Sequence, residues 1–195
     1  VTNLVFRSCS FAAKELILAQ GALNANNLQI LSCSADSFIV VQQTDSAVFH
    51  NLIIRDSTAS FRGIYSTRPV KVWNSLICDS SFGANIWWSQ SSAASSQFIN
   101  VTVHNCVVKN KQAFSSNIPN NTYVLQNCVI GDVWTSADRT TLANVWSQGA
   151  CIYNSCIKGT SPLVANTMEN TLTNTDPLLR KNCKLRSASP CIGTG

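Results

Sequence analysis

Phe49-His50-Asn51-Leu52-Ile53-Ile54-Arg55 sets one asparagine inside a short run of mostly apolar side chains. The same setting recurs along the chain, so that Asn3, Asn27, Asn51, Asn74, Asn100, Asn127 and Asn154 follow one another at intervals of 23 to 27 residues. Three places after each asparagine stand Phe6, Ile30, Ile54, Ile77, Val103, Ile130 and Ile157, all large and apolar. Two places before stand Val1, Ala25, Phe49, Val72, Phe98, Leu125 and Ile152. Self-similarity at a fixed period of roughly 24 residues signals stacked coils, each of which lacks a core until a neighbour covers it.

Strand alternation assigns the remaining positions: Leu4, Leu28, Leu52 and Val101 point inward just after the asparagine, and Arg7, Arg55, His104 and Lys158 point outward four places after it. A second strand is visible halfway round the earlier coils, at 16–19, 38–41, 64–66 and 86–88. The pattern predicts an all-β fold, a single-stranded right-handed parallel β-helix of about seven coils with an internal asparagine ladder. One domain spans 1–195, with regular coils over 1–160, a loop insertion near 131–150 and a closing segment over 161–195. Asparagine suits the repeated corner because its amide both donates and accepts, and because it tolerates a left-handed backbone. Seven asparagines in surface turns would give the same fold.

These coils resemble those of the pectate-lyase-like, right-handed parallel β-helix superfamily. The segment Asp176-Pro177-Leu178-Leu179, followed by Cys183-Lys184-Leu185 and Ser189-Pro190-Cys191-Ile192-Gly193, is similar to the closing motif of cell-surface β-helix repeat proteins. The resemblance covers about residues 1–160 and 174–195. It implies the fold more than the activity, because this architecture carries lyases, hydrolases, epimerases, adhesins and structural fibres.

Only 12% of residues are charged against 45% hydrophobic, which suits short-side-chain β-coils rather than helices. The net charge is +5, but the 14 basic residues are scattered, which argues against nucleic acid. No apolar run is long enough for a membrane span, and no charged-then-apolar leader opens the chain, so it reads as a soluble, processed piece. No cofactor motif appears. His50 and His104, the two histidines, have no metal-ligand spacing between them.

Nine cysteines point to an extracellular or cell-surface setting with some disulfides. Cys9 and Cys33 fall in equivalent positions of adjacent coils and are either bridged or stacked as thiols. Cys183 with Cys191 is a second candidate pair, Cys151 and Cys156 can each reach a neighbouring coil, and Cys78 lies on the outward track without an evident partner. Of two glycosylation sequons, Asn100-Val101-Thr102 belongs to the ladder and is expected to be inaccessible. Asn120, beside Pro119, is the candidate acceptor.

Aromatic rings on a flat sheet are platforms for sugars. Trp87 and Trp88 are the candidates, since neighbours on a strand face opposite ways, while Trp73, Trp134 and Trp146 read as packing or loop residues. For catalysis, Asp56 and Asp79 share a register five places after their asparagines, where two carboxyls could face one substrate or simply turn the chain. The superfamily's lyases hold Ca²⁺ with clustered acidic residues, whereas the nine here are dispersed. Arg7, Arg55, His104 and Lys158 form a broken basic track suited to an acidic glycan. Val1 enters the pattern already in register, which points to a cut chain or to coils stacking end to end with another copy. The sequence thus predicts a structural or adhesive module that binds polysaccharide or a cell-surface glycan, with a polysaccharide lyase or glycoside hydrolase as the alternative.

Overall fold

Each asparagine of the repeat turns the chain in the left-handed region, with φ of 57° at Asn3, 56° at Asn27, 55° at Asn51, 51° at Asn74, 56° at Asn100, 52° at Asn127 and 48° at Asn154. In a computed structural model that describes residues 1–12, 14–42, 46–90, 96–109, 112–116, 123–147, 149–159, 161 and 165–192, these corners stand in one column. The residues just before them are register partners from coil to coil, Asn26 with His50, His50 with Trp73, Ile99 with Gln126 and Gln126 with Tyr153. A second left-handed column follows five residues later, at Ser8, Ser32, Asp56, Asp79 and Asn105. Two sharp corners per coil leave only short strands between them.

Four faces result. The first precedes the asparagine corner, in strands such as Leu23–Asn26, Ala47–His50, Tyr123–Gln126 and Ala150–Tyr153. The second lies between the corners, in Val5–Arg7, Gln29–Leu31 and Ile53–Arg55; the long strands Val70–Cys78 and Ser96–His104 run through both. The third begins Ser34–Val41 and Thr58–Ser66 and continues as Ser81–Phe82, Cys106–Val108 and Val133–Trp134. The fourth holds Glu15–Ala19, Trp87–Ser89, Gln112–Ser116 and Asn144–Trp146. Among the described residues there is no helix, and all strand pairings are parallel apart from isolated antiparallel bridges at Trp134–Leu142 and Leu179–Leu185. The molecule is a parallel β-solenoid.

The seven asparagines bound about six turns, fewer than the seven coils that counting the asparagines suggests. The stack also runs past residue 160. Thr167–Glu169 pairs with Ala150–Tyr153 and Leu172–Thr173 with Cys156–Ile157, with a shortened last corner at Asn170.

Asparagine side chains bond from coil to coil at several corners, and they do so on the outside of the bend rather than inside it. Asn27 Nδ2 donates to Asn3 Oδ1 at 2.8 Å, Asn100 to Asn74 at 2.9 Å and Asn170 to Asn154 at 3.3 Å, while Asn51 reaches Asn26 rather than Asn27 at 2.9 Å. Asn3, Asn51, Asn74 and Asn100 are exposed, so the rungs run along the outside of the bend and the Asn100 sequon is not hidden. The left-handed corner turns its own side chain outward and the next residue inward: Leu28, Leu52 and Val101 are buried.

Where that next residue is small it closes the corner. Ser75 donates to the Trp73 carbonyl at 2.8 Å and accepts from Leu52 N–H at 3.0 Å, and Ser155 repeats this with Tyr153 and Cys128. After the second corner, Cys9, Cys33, Ser57, Ser80 and Cys106 each donate to the carbonyl two residues back, at 2.7 to 3.4 Å. Of the two alternatives for Cys9 and Cys33, the structure has thiols: each is turned to its own coil and both are free. The Cys183–Cys191 pairing is also replaced, because Cys191 is bridged to Cys156, with Cα atoms 6.0 Å apart.

Inside, Phe49, Ile54, Val72, Ile77, Phe98, Val103, Leu125 and Ile152 are fully buried, each contributing on the order of 1.5–3 kcal/mol relative to exposure. Later turns carry an aromatic stack, with Trp87 5.2 Å from Phe98 and 5.0 Å from Tyr123. The buried polar atoms of that stack are satisfied: Trp87 Nε1 donates to Ser66 Oγ at 3.2 Å, and the Tyr123 hydroxyl accepts from Ser147 N–H at 2.9 Å.

Asn100 separates the two contributions of a corner asparagine. Replacement by Ala, which loses both the rung and the tolerance of positive φ, is expected to cost about 2 kcal/mol; replacement by Gly, which keeps the backbone, about 1 kcal/mol. Urea denaturation of the two variants checks the order, and equal losses would refute the backbone role.

Candidate functional site

The outward column of the second face is the first place where sequence spacing puts function. Register partners confirm its alignment, Arg7 with Leu31, Leu31 with Arg55, Arg55 with Cys78 and Cys78 with His104. The column is not a free basic stripe. Arg55 Nε lies 3.4 Å from Asp56 and 3.8 Å from Asp79, so the two carboxylates taken as a possible catalytic pair share a guanidinium and sit at left-handed corners. Asp79 also accepts from Asn105 Nδ2 at 2.6 Å. Arg7 stays exposed, and with Arg55 and Asp56 it lines an open groove of about 430 Å³.

Further along, the C-terminal segment folds back over the column. Lys158 Nζ bridges Asp132 Oδ1 at 2.6 Å and Asp176 Oδ2 at 2.9 Å. His104, Gly131, Asp132, Asp176 and Arg186 line a polar cavity of about 260 Å³ roofed by Pro177, Leu178 and Leu179. Gly131 makes the docking possible, since a Cβ there would fall 2.8 Å from His104 Nδ1 and 3.0 Å from Leu179 Cδ1. His104 Nδ1 is buried without a hydrogen-bond partner among the described residues.

Burial lowers the His104 pKa below its usual value, against the pull of Asp132 and Asp79. For Lys158, burial opposes the charge, yet hydrogen bonds to Asp132 and Asp176 outweigh it and raise the pKa. The hydrogen bond from Lys158 holds Asp176 below the usual carboxylate range. The segment is therefore pinned by a charge cluster as well as by the Cys156–Cys191 bridge.

The fourth face carries a different arrangement. Tyr65 and Trp88 are register partners on adjacent coils, their rings 5.4 Å apart and 29° from parallel. The Arg62 guanidinium lies 3.7 Å from the Phe61 ring centroid and 3.9 Å from that of Trp88, close enough for cation–π attraction. The Tyr65 hydroxyl donates to Gln90 Oε1 at 2.8 Å. Trp88 is half-buried and Phe61 is 42% exposed, whereas Trp87 is 0% exposed and belongs to the core. Strand alternation thus separates the two tryptophans, and Trp87 is removed from the ligand-contacting set. Burial lowers the Arg62 pKa, while Tyr65 and Asp36 act the other way.

The other sequence candidates fall elsewhere. His50 packs edge-on with Trp73 at 4.7 Å. Trp134 begins a hairpin excursion closed by Thr135 N–H to the Thr141 carbonyl at 2.9 Å, and Trp146 is buried. Asn120 lies outside the described residues. Phe61, Arg62 and Tyr65 escape a reading based on tryptophan alone. Their signal is register, because the strand that holds them aligns with Trp88 one coil on.

These features define a parallel β-solenoid of about six turns with one column roofed by its C-terminal segment and one aromatic, cationic face that no such segment roofs among the described residues. Compared with known proteins, the chain matches no family model, and no curated protein or solved structure is found to be similar to it. No helix among the described residues is long and apolar enough to cross a membrane.

The shifted groups have a pH consequence. A His104 pKa lower in the folded than in the unfolded chain stabilises the fold above the unfolded value of 6.5 and loses that contribution as pH falls through the folded pKa. Unfolding free energy is therefore expected to fall between pH 7 and pH 5, with a smaller slope in His104→Gln. Chemical denaturation at a series of pH values measures both slopes, and identical slopes would reject the assignment.

Proposed function

We propose that this chain is an extracellular structural or adhesive β-solenoid module that binds polysaccharide on its fourth face. The observation that carries the reading is the patch of Phe61, Arg62, Tyr65 and Trp88, in which apolar ring surface lies beside a guanidinium. A sugar ring offers an apolar face to an aromatic side chain and hydroxyls or a carboxylate to polar neighbours. Arg62 and the net charge of +5 favour an acidic polymer, and the rigid stack presents the patch without an ordering cost.

The resemblance of the repeats to pectate-lyase-like coils and of the closing segment to cell-surface β-helix proteins supports the same reading. The Cys156–Cys191 bridge is in keeping with an oxidising compartment. Binding to a soluble polyuronate and to a neutral glucan, measured by isothermal titration calorimetry, tests the proposal. The polyuronate is expected to bind more tightly, and Trp88→Ala and Arg62→Ala each to weaken it about five- to tenfold, roughly 1–1.4 kcal/mol. Failure of both polymers to bind, or variants that bind like the wild type, would remove the patch from function. Release of shortened products from the same polymers would replace a binding module with a lyase or hydrolase.

A further inference from the structure

The Cys78 thiol ends the strand Val70–Cys78 in the outward column, is fully buried, and interacts with the side chain of Cys183. Cys183 belongs to the segment that folds back over that column. It occupies a tight turn, with φ 60° and its N–H bonded to the Arg180 carbonyl at 2.8 Å, between the bridged residues Leu179 and Leu185. The docking that brings Leu179 onto Gly131 and His104 thus also lays one sulfur against the other.

Neither thiol has the role of Cys9, Cys33, Cys106 and Cys128, which donate to backbone carbonyls in the corners. Cys106 and Cys128 are buried, which pushes each thiol up to about 12 and leaves them unreactive.

We propose that Cys78 and Cys183 are the site of a second, reversible disulfide, a clasp that fastens the C-terminal segment over the second face. Cys183 is the entry point because it is only half-buried, and its pKa is lowered first by the interaction with Cys78 and then by the Arg55 charge, although burial, Asp79 and Asp56 oppose this. Its thiolate attacks a low-molecular-weight disulfide, forming a mixed disulfide and releasing one thiolate. Cys78 then gives up its proton and attacks the Cys183 sulfur, expelling the second thiolate. The oxidant leaves as two thiols, and the protein gains one S–S bond for two S–H bonds lost. With Cys156–Cys191 already in place, the segment becomes fixed at two points on either side of the cavity it roofs.

Thiol counting in denaturant and peptide mapping after equilibration with oxidised and reduced glutathione test the clasp on the whole chain. Of nine cysteines, seven are free beside the existing bridge, so the expected count on oxidation falls from seven to five. The new cross-linked peptide should join Cys78 to Cys183. Cys183→Ser should hold six thiols before and after oxidation and melt about 4 °C or more below the oxidised wild type. A count that stays at seven, or Cys183 joined to any other cysteine, overturns the proposal.

Discussion

An asparagine held at positive φ in every coil, with its amide bonded to an asparagine of the neighbouring coil at several of these corners, is the constraint on which the molecule depends. The left-handed corner costs most L residues about 1–2 kcal/mol. Asparagine lowers that cost and also pairs with its neighbour above or below. Because the corner turns its own side chain outward, the residues on either side of it are committed to the interior. The column of corners therefore sets which side chains of every coil reach the core, from Phe49 and Leu52 to Phe98 and Val101.

The second corner acts in the same way with less uniform chemistry. Serine, aspartate and asparagine all occupy it, and a serine or cysteine behind it closes the turn on a backbone carbonyl. This accounts for why Cys9, Cys33 and Cys106 stand at equivalent places of different coils without being bridged. It also gives Asp56 and Asp79 a structural reason to be where they are. Outside, the same geometry lays out two surfaces of different character: a column where Arg55 and Lys158 are met by Asp79, Asp132 and Asp176, and a face where Arg62 is met mainly by rings.

Several elements were legible from periodicity alone because burial acts on each coil in the same way. The inward positions, the parallel stacking and the split between Trp87 and Trp88 all follow from it. The ladder's placement was not legible, since the sequence shows that an asparagine recurs and not which way its side chain turns. Cys191 pairs with Cys156 instead of Cys183 because the closing segment passes over the column, and the path of an irregular segment leaves no period to read. Phe61 and Arg62 carry no repeat either, and their closeness to Trp88 depends on coil register.

Sequence by itself determined the solenoid: a recurring corner residue and recurring apolar neighbours can bury their side chains only by stacking coil on coil. Tertiary structure alone decided which outward residues remain open. The return of residues 176–191 across the second face neutralises Lys158 and covers His104, while among the described residues no such segment lies over Trp88 on the fourth face. Contacts of that kind join parts of the chain distant in sequence, and their energies come from shape and charge met in space rather than from any local pattern.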